Sequence, residues 1–555
     1  MMSGTLALLC ALLTLGVVQT SQAQSDPAPV VSVRNGTLRG ASMSVKGSDR
    51  PVQQYLGIPF AQPPLGPLRF APPEPAESWE GERDATQQPK MCIQDPEIVE
   101  STSKIMAIEF TPPAVSEDCL YLNVYTPAKP SSDEKLPVMV WIHGGGLYMG
   151  GASQYDGAVL AAYENIVVVA IQYRLGFLGY LSTGDEHAQG NWGFLDQLAA
   201  LQWVQENIQS FGGDPNSVTI AGESAGAISA SVLILSPLSK GLFHRAILQS
   251  GAATLGAYTT KTPLVFAKMV AKVMECDSSS TEELIKCMRL KKSEDFITGM
   301  KKQKIFLGAA VDGTFLTDVA EEVLKSKDFM KVPVIVGVTN HEFGWILPNA
   351  FCPPGWEKGM TRSTVMTMVN TFFPAGNATG ANELIVDEYL KDAHTPEAIR
   401  DEFTEALGDL FMVMPILKVA AYHRDAGVPV YMYEFQHRPE IFKDSRPSFV
   451  KADHADDVGF VFGSCFWDGH IKINGSTTEE ENQLCRTTMA YWGNFVRTGS
   501  PNGAGLVHWP QYEGSRKYLQ LDLQQSEGQE LKKDRVLFFT QELPRRLAAM
   551  RGATP

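Results

Sequence analysis

The sequence predicts an α/β fold with a mostly parallel sheet flanked by helices, and three observations carry that class. Strand-length runs such as Val138-Met139-Val140-Trp141-Ile142, Val334-Ile335-Val336-Gly337-Val338-Thr339 and Val430-Tyr431-Met432-Tyr433-Glu434-Phe435 are apolar almost throughout, instead of at every second position. Strands of that kind lie in sheets covered on both faces. Between them run stretches of helical period: Phe194, Leu198, Leu201, Val204 and Ile208 share one face until Gly212-Gly213 ends the pattern. Alternation of strand and helix sets consecutive strands parallel, with helices on the faces. The third observation is a strand that breaks sharply into a helix around a serine.

That turn lies in Ser217 to Ser231, which read Ser-Val-Thr-Ile-Ala-Gly-Glu-Ser-Ala-Gly-Ala-Ile-Ser-Ala-Ser. A β-branched run, then Gly-x-Ser-x-Gly, then small residues is the layout of a nucleophile elbow, which lifts a serine Oγ clear of the backbone. Ser224 is the candidate nucleophile. A pattern of five residues also arises by chance in glycine-rich turns, so a second observation is needed. It lies upstream, where the run ending at Ile142 continues into His143-Gly144-Gly145-Gly146. Consecutive glycines expose backbone N–H groups, and preorganised donors stabilise the oxyanion of a tetrahedral acyl-transfer intermediate better than water does. The donors would be Gly145, Gly146 and Ala225. A phosphate loop would place lysine and Ser/Thr after its glycines, and Leu147-Tyr148-Met149 follow instead. The two motifs, in this order, point to a serine hydrolase.

A serine at neutral pH needs a histidine base, and the histidine needs a carboxylate to fix its tautomer. In this arrangement the chain order is serine, acid, histidine. Glu342, in Asn340-His341-Glu342-Phe343-Gly344, leaves the carboxyl end of the predicted strand 334–339, where functional loops of open α/β sheets sit. Of ten histidines, His394, His423, His437, His454, His470 and His508 follow far enough downstream to serve, and position alone does not choose among them.

With Phe211-Gly212-Gly213-Asp214-Pro215 leading to Gly222-Glu223-Ser224-Ala225-Gly226, and with Glu117-Asp118-Cys119-Leu120-Tyr121-Leu122-Asn123, the chain resembles the type-B carboxylesterases, the family of cholinesterases and vertebrate carboxylesterases. The phrases Leu235-Ser236-Pro237-Leu238, Phe243-His244-Arg245-Ala246 and His508-Trp509-Pro510 are most similar to the vertebrate carboxylesterases. The resemblance implies an α/β-hydrolase fold and a serine carboxylesterase with Ser224 as nucleophile, Glu342 as acid and His454 as base. It also implies disulfides Cys92–Cys119 and Cys276–Cys287. Ala227 departs from the third glycine usual in those enzymes and is expected to alter helix packing, not to abolish catalysis. Two other classes share the fold: adhesion proteins of the neuroligin kind, which have lost the serine, and acylglycerol lipases. No cofactor is implied, and no metal site, because Cys-x-x-Cys and paired-histidine spacings are missing.

Residues 1–23 read as a secretory signal, with an apolar stretch from Leu6 to Val18 and Ser21-Gln22-Ala23 before the cut. Residues 24–555 are expected to form one catalytic domain, since no linker or repeat interrupts them; the prolines from Pro63 to Pro75 read as an extended surface segment. A net charge of −15 disfavours nucleic acid as a partner. No segment has the length of a transmembrane helix. Of eight cysteines, Cys10 falls in the leader; beyond the two implied pairs, Cys352, Cys465 and Cys485 are left without assigned partners. Asn35, Asn377 and Asn474 head glycosylation sequons. The ending Arg551-Gly552-Ala553-Thr554-Pro555 lacks a His-x-Glu-Leu type signal, so secretion to the extracellular space is expected, with the endoplasmic reticulum lumen as the alternative. Between Cys92 and Cys119 there is no tryptophan to hold a quaternary ammonium, so uncharged esters are favoured over choline esters. Glu223, beside the serine, reads equally as a pocket carboxylate or as a buried structural residue.

Overall fold

The structure, a computed structural model, describes residues 28–129, 133–374 and 380–552. Its central sheet has eleven strands: β1 (Ala41–Val45), β2 (Ser48–Pro59), β3 (Tyr121–Thr126), β4 (Leu136–Ile142), β5 (Val167–Ile171), β6 (Gly213–Glu223), β7 (Arg245–Gln249), β8 (Val334–Thr339), β9 (Val430–Phe435), β10 (Lys517–Leu521) and β11 (Ser526–Gln529). In space they follow the order β11-β10-β9-β8-β7-β6-β4-β5-β3-β2-β1. The block from β5 across to β10 is parallel throughout. Antiparallel pairs close both ends. This is the expected α/β-hydrolase class.

Both faces of the parallel block are buried, which is why its strands are apolar at consecutive positions. Along β4, Val138, Val140 and Ile142 enter one core layer while Met139 and Trp141 enter the other. The helices that matter for the site are α1 (Trp192–Asn207), α2 (Ala225–Leu235), α3 (Ile346–Phe351), α4 (Pro396–Gly408), α5 (Asp456–Val461) and α6 (Glu479–Thr498). Leu198, Leu201 and Val204 of α1 pack in the first layer, and Trp492 and Phe495 of α6 in the second. A separate cluster, with Phe343, Val365, Val369, Phe403 and Leu407, forms under the helices inserted after β8.

The strands read from the sequence at 334–339 and 430–435 have those bounds, and the run ending at Ile142 begins two residues earlier, at Leu136. The helical pattern passes into a 3-10 turn, Ile208–Phe211, closed by Gly212 at φ 77°. The proline-rich segment contains a short 3-10 turn, Gly66–Leu68, that runs on into a left-handed Phe70 at φ 54°. The leader with Cys10, and Asn377, lie outside the described residues.

Three disulfides are formed: Cys92–Cys119, Cys276–Cys287 and Cys465–Cys485. The third, unassigned from the sequence, ties the turn after α5 to α6; Cys352 is the one free cysteine among the described residues. Closing a loop of 20 residues removes roughly 3 kcal/mol of chain entropy from the unfolded state. Replacing both Cys465 and Cys485 by alanine should therefore lower the melting temperature by several degrees, whereas Cys352→Ala should leave it within about a degree, as read by differential scanning calorimetry.

Candidate active site

The sheet register assembles the site. Ile142 at the end of β4 pairs with Gly222 of β6, so the glycine loop and the serine turn leave neighbouring strands side by side. Glu223 pairs with Gln249 of β7, which puts Ser250 beside Ser224, and β8 then delivers Glu342 from the same edge of the sheet. His454 comes from the long connection between β9 and α5.

Ser224 has φ 56° and ψ −123°, a backbone conformation that an L-residue holds only where its surroundings enforce it. Its N–H donates to Gln249 O at 2.8 Å. A Cβ on Gly226 would lie 1.9 Å from Ile142 O, so only glycine lets α2 start this close to β4. Ala227, the departure from the family pattern, is fully buried one residue further on, and α2 continues unbroken to Leu235. Gly145, at φ 106°, and Gly146, at φ 64°, turn the loop; their N–H groups meet no acceptor among the described residues. Ala225 opens α2, whose first N–H groups have no intrahelical partner. Three donors are thus available beside Ser224. Behind them His143 stacks on Tyr173 at 4.3 Å, and burial pushes its pKa down to about 4, so it is a neutral prop of the loop.

Glu342 and His454 meet in a buried pair, Nδ1 to Oε2 at 2.7 Å. The other carboxylate oxygen, Oε1, accepts from Ser250 Oγ at 2.6 Å and from Thr339 N at 2.7 Å, which fixes the acid from behind. His454 Nε2 lies 3.0 Å from Glu223 Oε1. The imidazole therefore sits between two carboxylates, and the Ser224 hydroxyl makes no hydrogen bond among the described residues. Burial opposes the imidazolium, but the charge of Glu223 beside it, together with Glu342, outweighs it and raises the His454 pKa well above its ordinary value. A third carboxyl, Asp457, accepts from Tyr433 Oη at 2.5 Å and Gln249 Nε2 at 3.0 Å, and burial raises it to about 7.

Of the six histidines left open by position, only His454 reaches Glu342. His394 sits on the surface after the helix Ala381–Leu390, His423 is packed against Phe329, and His437 is paired with Glu481. Ser250 and Asp457 escaped the sequence reading; a Gln-Ser-Gly at a strand's carboxyl end, and the run of aspartates around His454, are the signals that mark them.

The model of the carboxylesterase family matches residues 27–539. The chain belongs to that family. It is 48% identical to carboxylesterase 5A of Canis lupus familiaris, over 93% of this chain and 90% of that one. Identity is 47% to a medium-chain fatty acyl-CoA hydrolase precursor of Anas platyrhynchos, covering 96% of each, and 47% to cocaine esterase of Homo sapiens, covering 98% and 96%. The protein is thus a carboxylic ester hydrolase of the serine type. Its disulfides are compatible with a secreted or lumenal protein, and no helix among the described residues is long and apolar enough to cross a membrane.

The electrostatics give a direct expectation. Glu223→Gln removes the charge that contributes most to raising His454, so its imidazolium should lose its proton at a lower pH than in the wild type. An NMR titration of histidine Cε1–H resonances, assigned with a His454 variant, reads that shift.

Proposed function

We propose that this carboxylesterase works through an acyl-enzyme on Ser224, with His454 as general base and Glu342 as the acid that orients it. The observation that supports this most is the buried 2.7 Å contact of Glu342 with His454, held at the strand ends that also carry the serine turn and three unpaired N–H groups. Ser224 Oγ attacks the ester carbonyl as His454 Nε2 takes its proton. The oxyanion is received by the N–H groups of Gly145, Gly146 and Ala225. The protonated histidine gives its proton to the leaving alcohol, and water, activated by the same nitrogen, releases the acid. With Nε2 facing Glu223 as a proton donor, the active base is the fraction of His454 that has released this proton to solvent and turned Nε2 from Glu223 to Ser224 Oγ, so activity should rise with pH through the His454 titration; such bonds commonly tighten only with substrate bound.

The substrates proposed are uncharged carboxylic esters of broad structure. The names of the relatives, cocaine esterase, fatty acyl-CoA hydrolase and, for a Rattus norvegicus protein 45% identical to this chain, pyrethroid hydrolase, support breadth in the acyl and leaving groups; the preference for uncharged esters rests on the Cys92–Cys119 loop alone. The absence of tryptophan from the Cys92–Cys119 loop argues against choline esters. We further propose a single catalytic domain over residues 24–555, a cleaved leader over 1–23, and secretion. Among the described sequons, Asn474 is exposed, whereas the Asn35 amide donates to Ala76 O at 2.8 Å in a half-buried position, so Asn474 is the better acceptor for a glycan. Asn377 remains the third candidate.

Hydrolysis of p-nitrophenyl butyrate by wild type and Ser224→Ala tests the mechanism. The variant, folded by circular dichroism, should lose on the order of a millionfold in kcat. A folded variant that keeps wild-type turnover would remove Ser224 from the role.

A further inference from the structure

The segment preceding His454 is fastened to the segment carrying Glu342 residue by residue. Lys451 N donates to His341 Nδ1 at 3.2 Å, and Ala452 N to Asn340 Oδ1 at 3.0 Å. Asp453 then turns its carboxylate onto three successive amides: Oδ1 accepts from Gly344 N at 3.1 Å and Trp345 N at 2.9 Å, and Oδ2 from Ile346 N at 2.8 Å. Ile346 N is the first orphan donor of α3, and the amides of Gly344 and Trp345 lead into it, so a side chain more than a hundred residues away caps the entry to that helix. Asp453 is fully buried. Its own N–H donates to Asp456 Oδ2 at 2.7 Å, and Arg446 Nη1 donates to the same oxygen at 2.7 Å. His341 is itself fixed: with Nδ1 accepting from Lys451, Nε2 carries the proton and donates to Thr404 Oγ1 of α4 at 2.9 Å. Burial keeps that ring neutral, with a pKa down at about 4. The approach is tight enough that a Cβ on Gly344 would lie 3.1 Å from Asp453 Oδ1.

We propose that Asp453 is a positioning residue for ester hydrolysis: by capping α3 it sets the separation of Glu342 and His454, which lie on the two segments it joins. The proposal rests on the triad assigned above. Glu342 sits inside the 340–346 segment whose two ends are tied to residues 451–453, and His454 is the next residue along the chain. Any slack between the segments lengthens the 2.7 Å contact of the acid with the base. Nothing about Asp453 places it against substrate, so its effect passes through that contact. The cap needs the carboxylate ionised. Burial, and then the Asp456 charge, push Asp453 upward, while Arg446 and the amides of Ile346 and Trp345 favour the charged form that the cap requires.

Asp453→Asn is the decisive variant. An asparagine of the same shape presents either an NH2 to the Ile346 N–H or an NH2 to those of Gly344 and Trp345, so at least one donor faces a donor. A displacement of the base by around 1 Å can cost about a hundredfold. The variant, assayed on p-nitrophenyl butyrate, should lose 10- to 100-fold in kcat with KM within about twofold, and the acid limb of its kcat/KM profile should move to lower pH as Glu342 loosens its hold on the imidazolium. Leu38→Ala, a cavity variant at a buried residue of the separate three-stranded sheet formed by Val30–Val33, Gly36–Arg39 and Glu82–Asp84, lowers stability without touching these segments and should move neither kcat nor the acid limb. An Asp453→Asn enzyme with wild-type kcat and pH profile overturns the proposal, as does a Leu38→Ala enzyme with the same kinetic signature. If Asp453→Asn does not fold, Gly344→Ala, whose Cβ would lie 2.8 Å from His341 Nδ1 and 3.1 Å from Asp453 Oδ1, strains the same junction and should show the kcat loss and shifted limb in weaker form; its absence in folded protein overturns the proposal equally. Full turnover by Ser224→Ala would instead strike at the triad itself, and the two failures are told apart by which variant keeps its activity.

Discussion

The pairing of β4 with β6 is the constraint on which the site depends. Its register brings Ile142 level with Gly222, and the carbonyl of Ile142 then occupies the space that a side chain at position 226 would fill. Because glycine stands there, the strand can turn into α2 at once, and the turn forces Ser224 into its strained conformation with the hydroxyl on the open side. The same pairing sets the unpaired N–H groups of Gly145 and Gly146 next to the first N–H groups of α2. Nucleophile and oxyanion donors are thus products of one backbone approach, and neither can shift without the other.

Electrostatics add a second layer. Two buried carboxylates, Glu223 and Glu342, flank one imidazole, and a third buried carboxyl, Asp457, lies near enough to feel both of their charges. Isolated charges in such a place would be expensive. Here the cost is met by specific partners: Ser250 and Thr339 for Glu342, Tyr433 and Gln249 for Asp457, and the imidazole itself for Glu223 and Glu342. The arrangement favours the imidazolium, the species that forms after His454 has taken a proton from serine. An imidazolium stabilised in advance lowers the barrier to the tetrahedral intermediate, at the expense of activity on the acid side, where the base is already protonated.

Much of this was legible in the sequence, for identifiable reasons. Strands buried on both faces announce themselves by unbroken apolar runs, and those at 334–339 and 430–435 were read with their bounds. Gly222, Gly226 and the 144–146 glycines report backbone geometry directly, so the serine turn and the donor loop could be named together. The histidine could not. Six candidates are equivalent by position, and only the family motif, and then the fold, brings His454 to Glu342. Ser250, Asp457 and the Asp453 cap were illegible because each acts across more than 90 residues of chain or from within a long connection, where local pattern carries no register. The partners of Cys465 and Cys485 were hidden for the same reason: only the packing of α6 against the turn after α5 puts those sulfurs together.

The central claim, that the acyl group is carried by Ser224, is tested most directly by covalent capture. Treating the purified protein with a fluorophosphonate and mapping the modified peptide by mass spectrometry should find one adduct, on Ser224, matching the loss of esterase activity in stoichiometry and missing from Ser224→Ala. An adduct on any other residue, or complete inactivation with Ser224 unmodified, would contradict the account.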